Sequence, residues 1–295
     1  MINSAIPTTI ASLKTDATRA AYGRWLNVFA EWHKENQEPA ITYDIIVAFM
    51  ETLSDFNPAS RIQALSALKR LCDTIHKTNR EAIDLYENTI IQGIKGDKYK
   101  ASLRGKMILE PDLESLLHAC RADDKSTGRR DASIISILYC TGMRRAECSG
   151  LSMDVYDPDD RTILLKKTKN KSERTAYLNP MAIRYLNEWF RLRGADDGLV
   201  YWRAKTNGEI WRNRGFGGQA IYNILKRRCS EAGLEFYAPH DFRRTLISTL
   251  LDKGVDISLV SKIVGHSSTT MTARYDVRDN EAMRQAIESI KIPYV

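Results

Sequence analysis

The sequence predicts a mainly α-helical chain in two domains, with one small β-sheet that makes the second domain α+β. Three observations predict this. Apolar residues recur on steps of three and four over most of the chain, strand-like runs gather between 162 and 178, and the basic segment KGDKYKASLRGK (95–106) loses all periodicity. The expected division is a helical unit over 1–97, a basic linker over 98–106 and a second domain over 107–295.

In the first unit, TRAAYGRWLNVFAEWH (18–33) places Tyr22, Trp25, Phe29 and Trp32 on one helical face. DIIVAFMETLSDF (44–56) repeats the pattern with Ile45, Phe49 and Leu53. PASRIQALSALKRLCDTIHK (58–77) opens on Pro58, which suits a first helical turn, and carries Ile62, Leu65, Leu68, Leu71 and Ile75. EAIDLYENTIIQGIKG (81–96) adds Ile83, Tyr86, Ile90 and Ile94, with Gly96 to end it. The expectation is a four-helix unit that begins after about 16 residues and packs as a small bundle.

In the second domain, LEPDLESLLHACRA opens a helix at Pro111, and RRDASIISILYC (129–140) is a second, ended by Thr141-Gly142. TILLKKTK (162–169) and ERTAYL (173–178) read as two strands joined by a polar tip, NKS. PMAIRYLNEWFRLRG (180–194) returns to helix and LVYW (199–202) reads as a short strand. Helices are expected at 216–232, 240–253, 256–263 and 278–290.

Composition bounds the function. With 43% hydrophobic and 27% charged residues the chain reads as folded, and no apolar run approaches the roughly 20 residues that span a bilayer. The start, MINSAIPTTIASLK, lacks the charged head and apolar core of a signal peptide. Five cysteines (Cys72, Cys120, Cys140, Cys148, Cys229) without a CxxC pair fit reduced thiols in a cytoplasm better than a disulfide framework or a zinc site. A net charge of +7 and the basic runs KKTKNKSER (166–174), LKRRC (225–229) and 95–106 favour a polyanionic partner.

No phosphate loop, HExxH or dense carboxylate pair offers metal or nucleotide chemistry, and the acidic run DVYDPDDR (154–161) reads as a solvated turn. Spaced arginines and histidines do stand out. TGMRRAE (141–147) puts Arg144 just past a Thr-Gly turn, with Glu147 placed to hold an arginine by a charge-assisted fork. In APHDFRRT (238–245), His240 and Arg243 are i and i+3 on one helix face. VGH (264–266) then presents His266, and GHSSTTMTARY (265–275) ends on Tyr275. Alone, each has an ordinary structural reading, such as a surface arginine, a capping histidine or a half-buried tyrosine.

The ordered set of Arg, a Lys-bearing hairpin, His-x-x-Arg, Gly-His and Tyr resembles the tyrosine site-specific recombinases, the phage integrase family. The resemblance covers about 107–290 and extends more loosely to 1–95, which is similar in size to the family's core-binding (SAM-like) domain. It implies catalytic roles for Arg144, Lys169, His240, Arg243, His266 and Tyr275, with Glu147 in support. Lys169 is placed by the trailing Glu-Arg, and Lys166, Lys167 and Lys171 lie close enough to substitute. Two small departures are Arg244, where many members have histidine, and Asp276-Val277 after the tyrosine.

The chemistry fits those residue types. Two arginines supply fixed donors for the charge that builds on a phosphodiester in its transition state. A phenol, with a reference pKa near ~10, needs a base to take its proton, and His240 is the candidate. His266 would donate to a phosphate oxygen, and the hairpin lysine would protonate the leaving 5′ oxygen. The resemblance implies a covalent 3′-phosphotyrosyl intermediate, so neither metal, cofactor nor ATP is required. It further implies a compact Xer-like or mobile-element recombinase whose two domains clamp double-stranded DNA, working as a homotetramer on two sites and self-associating weakly or not at all without DNA. Accessory proteins are compatible with this, a membrane partner is not, and the expected location is cytoplasmic and nucleoid-associated. Helix 278–290 would pack either on its own domain or on a neighbouring protomer. Expected DNA-facing residues are Arg61, Lys69, Lys98, Lys100, Arg104 and Lys106. Alternatives are strand nicking and closing of the type IB topoisomerase kind, a catalytically silent DNA-binding regulator, and an RNA-binding or structural protein.

Overall fold

A computed structural model of the chain describes residues 2–37, 39–97, 105–165, 173–266 and 268–276. The chain divides into two compact units, Met1–Ser102 and Leu103–Val295. Most of the expected linker (98–104), the hairpin tip and the helix expected over 278–290 lie outside the described residues.

The first unit is built of α1 (Ile2–Ala11), α2 (Asp16–Glu35), α3 (Tyr43–Thr52), α4 (Pro58–Thr78) and α5 (Leu85–Gly93). Each of the last four starts on a side chain that accepts a backbone N–H of its first turn: Thr15 from Thr18, Thr42 from Ile45, Asn57 from Ser60 and Asp84 from Glu87. Trp25, Leu26 and Phe29 of α2 bury against Phe49 of α3 and Leu65, Leu68 and Leu71 of α4. Helix α1 corrects the expectation of four helices. Its Ile2, Ala5, Ile6 and Thr9 are buried, and it packs on α2 and α4. Pro7 and six β-branched or hydroxyl residues make it a poor helix by propensity, so tertiary packing holds what the local sequence disfavours. The fourth expected helix also shifts. The Asp84 cap moves its start to Leu85, which turns Tyr86 outward (73% exposed) and leaves Ile83 as a core residue ahead of the helix.

The second unit begins with α6 (Glu110–Ala122) and α7 (Ser126–Thr141). Ala132, Ile134, Ile135, Ile137 and Leu138 of α7 are all buried, as befits a helix that is surrounded. After α8 (Arg145–Ser149) and a 3₁₀ turn at Met153–Val155 come β1 (Tyr156–Asp157), β2 (Thr162–Leu165) and β3 (Arg174–Tyr177). They form one antiparallel sheet in that order, with Ile163 paired to Ala176 on its buried side. The acidic run is therefore partly an edge strand, closed by Asp157, whose carboxylate accepts the Asp159 and Asp160 N–H groups.

Helix α9 (Pro180–Arg193) packs against α7. The strand expected at 199–202 is instead a buried irregular segment, and the strands β4 (Arg203–Ala204) and β5 (Ile210–Trp211) follow it. Its backbone is taken up elsewhere: Val200 N–H donates to Leu151, and Val200 C=O accepts from the Trp189 indole at 2.8 Å. The unit closes with α10 (Gly218–Glu231), α11 (Pro239–Asp252), α12 (Ile257–Val264) and α13 (Thr269–Ala273).

The basic run at 225–229 is not simply a solvated face. Arg228 is buried and donates to Asp131 (2.9 Å), Asp123 (2.6 Å) and Glu231 (2.8 Å), while Arg130 and Arg227 also pair with the fully buried Asp131. Removing one member of such a set leaves the other charges buried and uncompensated. Asp131→Ala is expected to destabilise the second unit by about 3–5 kcal/mol, seen as an earlier urea transition in tryptophan fluorescence. An unchanged midpoint would refute this role.

Candidate active site

The site is assembled where α7 ends. Gly142 caps that helix in the left-handed region (φ +56°), and a Cβ there would come within 3.0 Å of the Leu246 side chain. The tight turn lets the Gly142 carbonyl accept from Arg243 Nη1 of α11 at 2.9 Å. It also delivers Arg144 to the start of α8. There Glu147 reaches back, accepting the Arg144 backbone N–H at 2.8 Å and its guanidinium at 2.7 Å.

Glu147 also pairs with Arg174 at 3.3 Å. Burial works to raise the Glu147 carboxyl, but the Arg144 hydrogen bonds and the Arg174 charge outweigh it and hold it below the usual carboxylate range. Arg174 donates in turn to the Ile263 carbonyl at 2.6 Å and lies against Gly265, the left-handed cap of α12 (φ +68°). A Cβ at Gly265 would come within 2.6 Å of Arg174 Cδ, so this glycine is required both for its backbone and for the close approach.

Past that cap, His266 is half-buried and its Nδ1 hydrogen-bonds Thr272 Oγ1 at 2.8 Å. Its ring stacks near Tyr275, with centroids 6.3 Å apart and planes 21° from parallel. The Tyr275 hydroxyl lies 3.1 Å from His240 Nε2, and the Arg244 guanidinium sits 6.0 Å from the phenol ring. The structure thus brings together Arg144, Glu147, His240, Arg243, His266 and Tyr275. Lys169 lies outside the described residues, as do Lys166, Lys167 and Lys171.

Burial and the Arg243 charge lower the pKa of His240. Burial, Arg243 and Arg144 push His266 down to about 4, so both imidazoles are neutral near neutral pH. Burial, Arg144 and Arg174 also lower Arg243, to about 10, which leaves it charged. Its Nη2 is buried with no hydrogen-bond partner among the described residues. One side of this guanidinium is anchored on Gly142 and the other is a spare donor.

Sequence reasoning missed Arg174 as part of the site. It shares the buried side of β3 with Ala176, and an arginine on the inward register of a strand demands an anionic partner. The described members of the expected DNA-facing set have internal partners. Lys69 donates to the Gln92 and Ile94 carbonyls at 2.6 Å each, and Arg61 pairs with Asp97 at 3.3 Å. The Lys106 ammonium pairs with Glu235, and its backbone N–H donates to Asp241. These contacts fasten segment ends, and a phosphate would have to displace them. Lys98, Lys100 and Arg104 lie outside the described residues.

The profile of the phage integrase family matches residues 106–281, which contain every residue of this site. The chain belongs to the phage integrase family. Among curated relatives, the tyrosine recombinase XerC of Corynebacterium efficiens is 29% identical over 188 residues, 61% of this chain and 58% of that protein. The tyrosine recombinase XerD of Lacticaseibacillus casei is 25% identical over 269 residues, 90% of this chain and 88% of the relative. The fold is that of a solved XerH site-specific recombinase bound to its difH substrate, with a TM-score of 0.68, 22% identity and coverage of 92% of this chain and 78% of that one.

The lowered histidines carry a pH signature. A folded-state pKa below the unfolded value means that the unfolded chain binds protons first as pH falls. The contribution of His240 and His266 to stability is therefore full above the ordinary histidine pKa of ~6.5 and is lost as pH drops below it. Imidazole titration by NMR should place the His266 midpoint at about 4, with His240 below its ordinary value. Arg243→Ala should raise the His266 midpoint; unchanged midpoints would show that Arg243 does not set the field.

Proposed function

We propose that this chain is a site-specific DNA recombinase that cleaves and rejoins strands through a covalent 3′-phosphotyrosyl intermediate. The observation that carries the reading is the Tyr275 hydroxyl 3.1 Å from the neutral His240 Nε2, among Arg144, Arg243 and His266. Tyr275 is the nucleophile. His240, kept unprotonated, accepts the phenol proton as the Tyr275 oxygen attacks phosphorus. Arg144 and the spare Nη2 of Arg243 take the charge that grows on the non-bridging oxygens. His266 adds a donor from its Nε2, the ring nitrogen not held by Thr272. The O–P bond to the 5′ oxygen breaks as a hairpin lysine, Lys169 on the sequence reading, supplies the proton. Rejoining reverses these steps with a different 5′-hydroxyl, so the phosphotyrosine link conserves the bond.

Double-stranded DNA is the partner, and strand exchange uses several protomers, four on two sites by the family resemblance. The 1–97 unit is the core-binding domain and 107–295 the catalytic domain, with 98–106 as the basic linker. Nicking and closing by one protomer would use the same atoms. Alignment with a Xer recombinase over 90% of this chain, first unit included, favours exchange. Among the described residues no helix is long and apolar enough to cross a membrane.

The deciding experiment is covalent capture: denature cells with detergent, recover the protein and sequence any DNA that remains attached. Wild type is expected to carry discrete sequences and Tyr275→Phe none. Equal recovery from both, repeated on a nicked duplex bearing the enriched site, would overturn the mechanism. Arg144→Ala or Arg243→Ala should slow cleavage roughly 100-fold or more, about 3 kcal/mol of transition-state stabilisation. For the linker, Lys100→Ala with Arg104→Ala should flatten the log–log salt dependence of DNA binding by about one per lost phosphate contact. An unchanged slope removes both from the interface.

A further inference from the structure

Thr272 is fully buried, and its hydroxyl sits between two polar partners: Ser261 Oγ at 2.7 Å and His266 Nδ1 at 2.8 Å. Ser261, on α12, is itself buried. A hydroxyl has one proton to give and two lone pairs. The row of three groups can therefore be protonated in three ways. In one, Ser261 donates to Thr272, and Thr272 donates to an unprotonated His266 Nδ1. In the other two, His266 Nδ1–H donates to Thr272, and either Thr272 donates to Ser261 or Ser261 also donates to Thr272.

The surroundings choose between them. Thr272 is the one hydrogen-bond partner of the Ser261 hydroxyl among the described residues. Either of the other two would leave one buried hydroxyl proton, on Ser261 or on Thr272, without an acceptor in the row, at a penalty of about 1–3 kcal/mol. The first uses every proton in the row. It fixes the neutral imidazole with its proton on Nε2, the nitrogen not held by Thr272. Burial and the neighbouring arginines keep the ring neutral, so this tautomer decides whether His266 is a donor or an acceptor.

We propose that Thr272, with Ser261 behind it, is a positioning residue that locks His266 in the Nε2–H tautomer and so makes it a hydrogen-bond donor. This rests on the recombinase reading for what that donor serves, a phosphate oxygen. The tautomer itself is a property of the DNA-free chain. Ring orientation is set by the same contact, because the His266 backbone N–H is tied to the Ser261 carbonyl at 2.9 Å while the ring is tied to Thr272. One loop is thereby stitched to α12 at both backbone and side chain.

The test is ¹⁵N NMR of the imidazoles in the full-length, DNA-free chain at neutral pH, with His266 assigned by its loss in His266→Gln. Wild type should show Nδ1 unprotonated and Nε2 protonated. Thr272→Val keeps the volume but removes both hydrogen bonds, and should move the two nitrogen signals toward averaged positions. Thr272→Ser should restore the wild-type pair. Ser261→Ala still leaves the Thr272 O–H no side-chain acceptor but His266 Nδ1 among the described residues, and should keep the wild-type pair. A wild-type Nδ1–H tautomer, or signals unchanged in Thr272→Val, would overturn the proposal. If Thr272→Val fails to fold, Thr272→Ala takes its place and is read the same way. The spectra involve no DNA cleavage, so their failure is distinct from failure of covalent capture.

Discussion

A single buried carboxylate organises the second unit. Glu147 accepts from the Arg144 backbone and guanidinium and pairs with Arg174, and through those two arginines it ties the start of α8 to β3 and to the end of α12. The two contacts that join those three elements bridge 27 and 89 residues of sequence. A buried anion between two cations contributes to stability only when its geometry is good and its lone pairs are used. Here one oxygen faces Arg144 and the other takes the Arg144 N–H and Arg174. The arrangement fixes the first arginine of the site and the α12 cap from which His266 and Tyr275 depart.

Burial and the same cations set the protonation of the histidines. In the DNA-free site burial, then Arg243 and Arg144, disfavour imidazolium at both His240 and His266, and the Asp241 carboxylate opposes them only in part at His240. On the proposed mechanism, a phosphodiester brought against those arginines would reverse the local field. Protonating an imidazole would then become easier at the moment when Tyr275 has a proton to surrender. The arginines would thus act twice, keeping the base empty before substrate binds and holding the anion that lets the base be filled.

Much of this was legible in the sequence, and the failures have physical causes. Gly142 was read as the end of its helix, and the structure gives the reason, since glycine suits a left-handed cap pressed against the Leu246 side chain. His240 and Arg243 were paired by helical spacing alone. Helix α1 was missed because Pro7 and the hydroxyl residues argue locally against a helix that packing on α2 and α4 maintains. The segment 199–202 was misread as a strand because burial, not pairing, makes it apolar. Arg174 and Arg228 were hidden inside basic runs, where a charged residue reads as solvated until the fold supplies its carboxylate. Thr272 left no signal, since one hydroxyl in a stretch of five is distinguished only by which partner it meets.

The placement of Tyr275 follows from that last point. It packs at the edge of a small apolar cluster of Ile247, Leu251, Val260 and Val264, separate from the main core of the unit. Helix α13, which leads to it, is five residues long, far below the ~12–15 at which helices persist unaided. Burial and propensity therefore contribute little to aiming the phenol. Its direction comes from polar contacts: the Ser268 cap at the start of α13, the buried Thr272 hydroxyl one turn before the tyrosine, and His240 at its oxygen. A tyrosine held mainly by its apolar ring would be fixed in place whether or not the base was competent. Held at its hydroxyl by His240, Tyr275 is oriented by the very interaction that the proposed chemistry would consume.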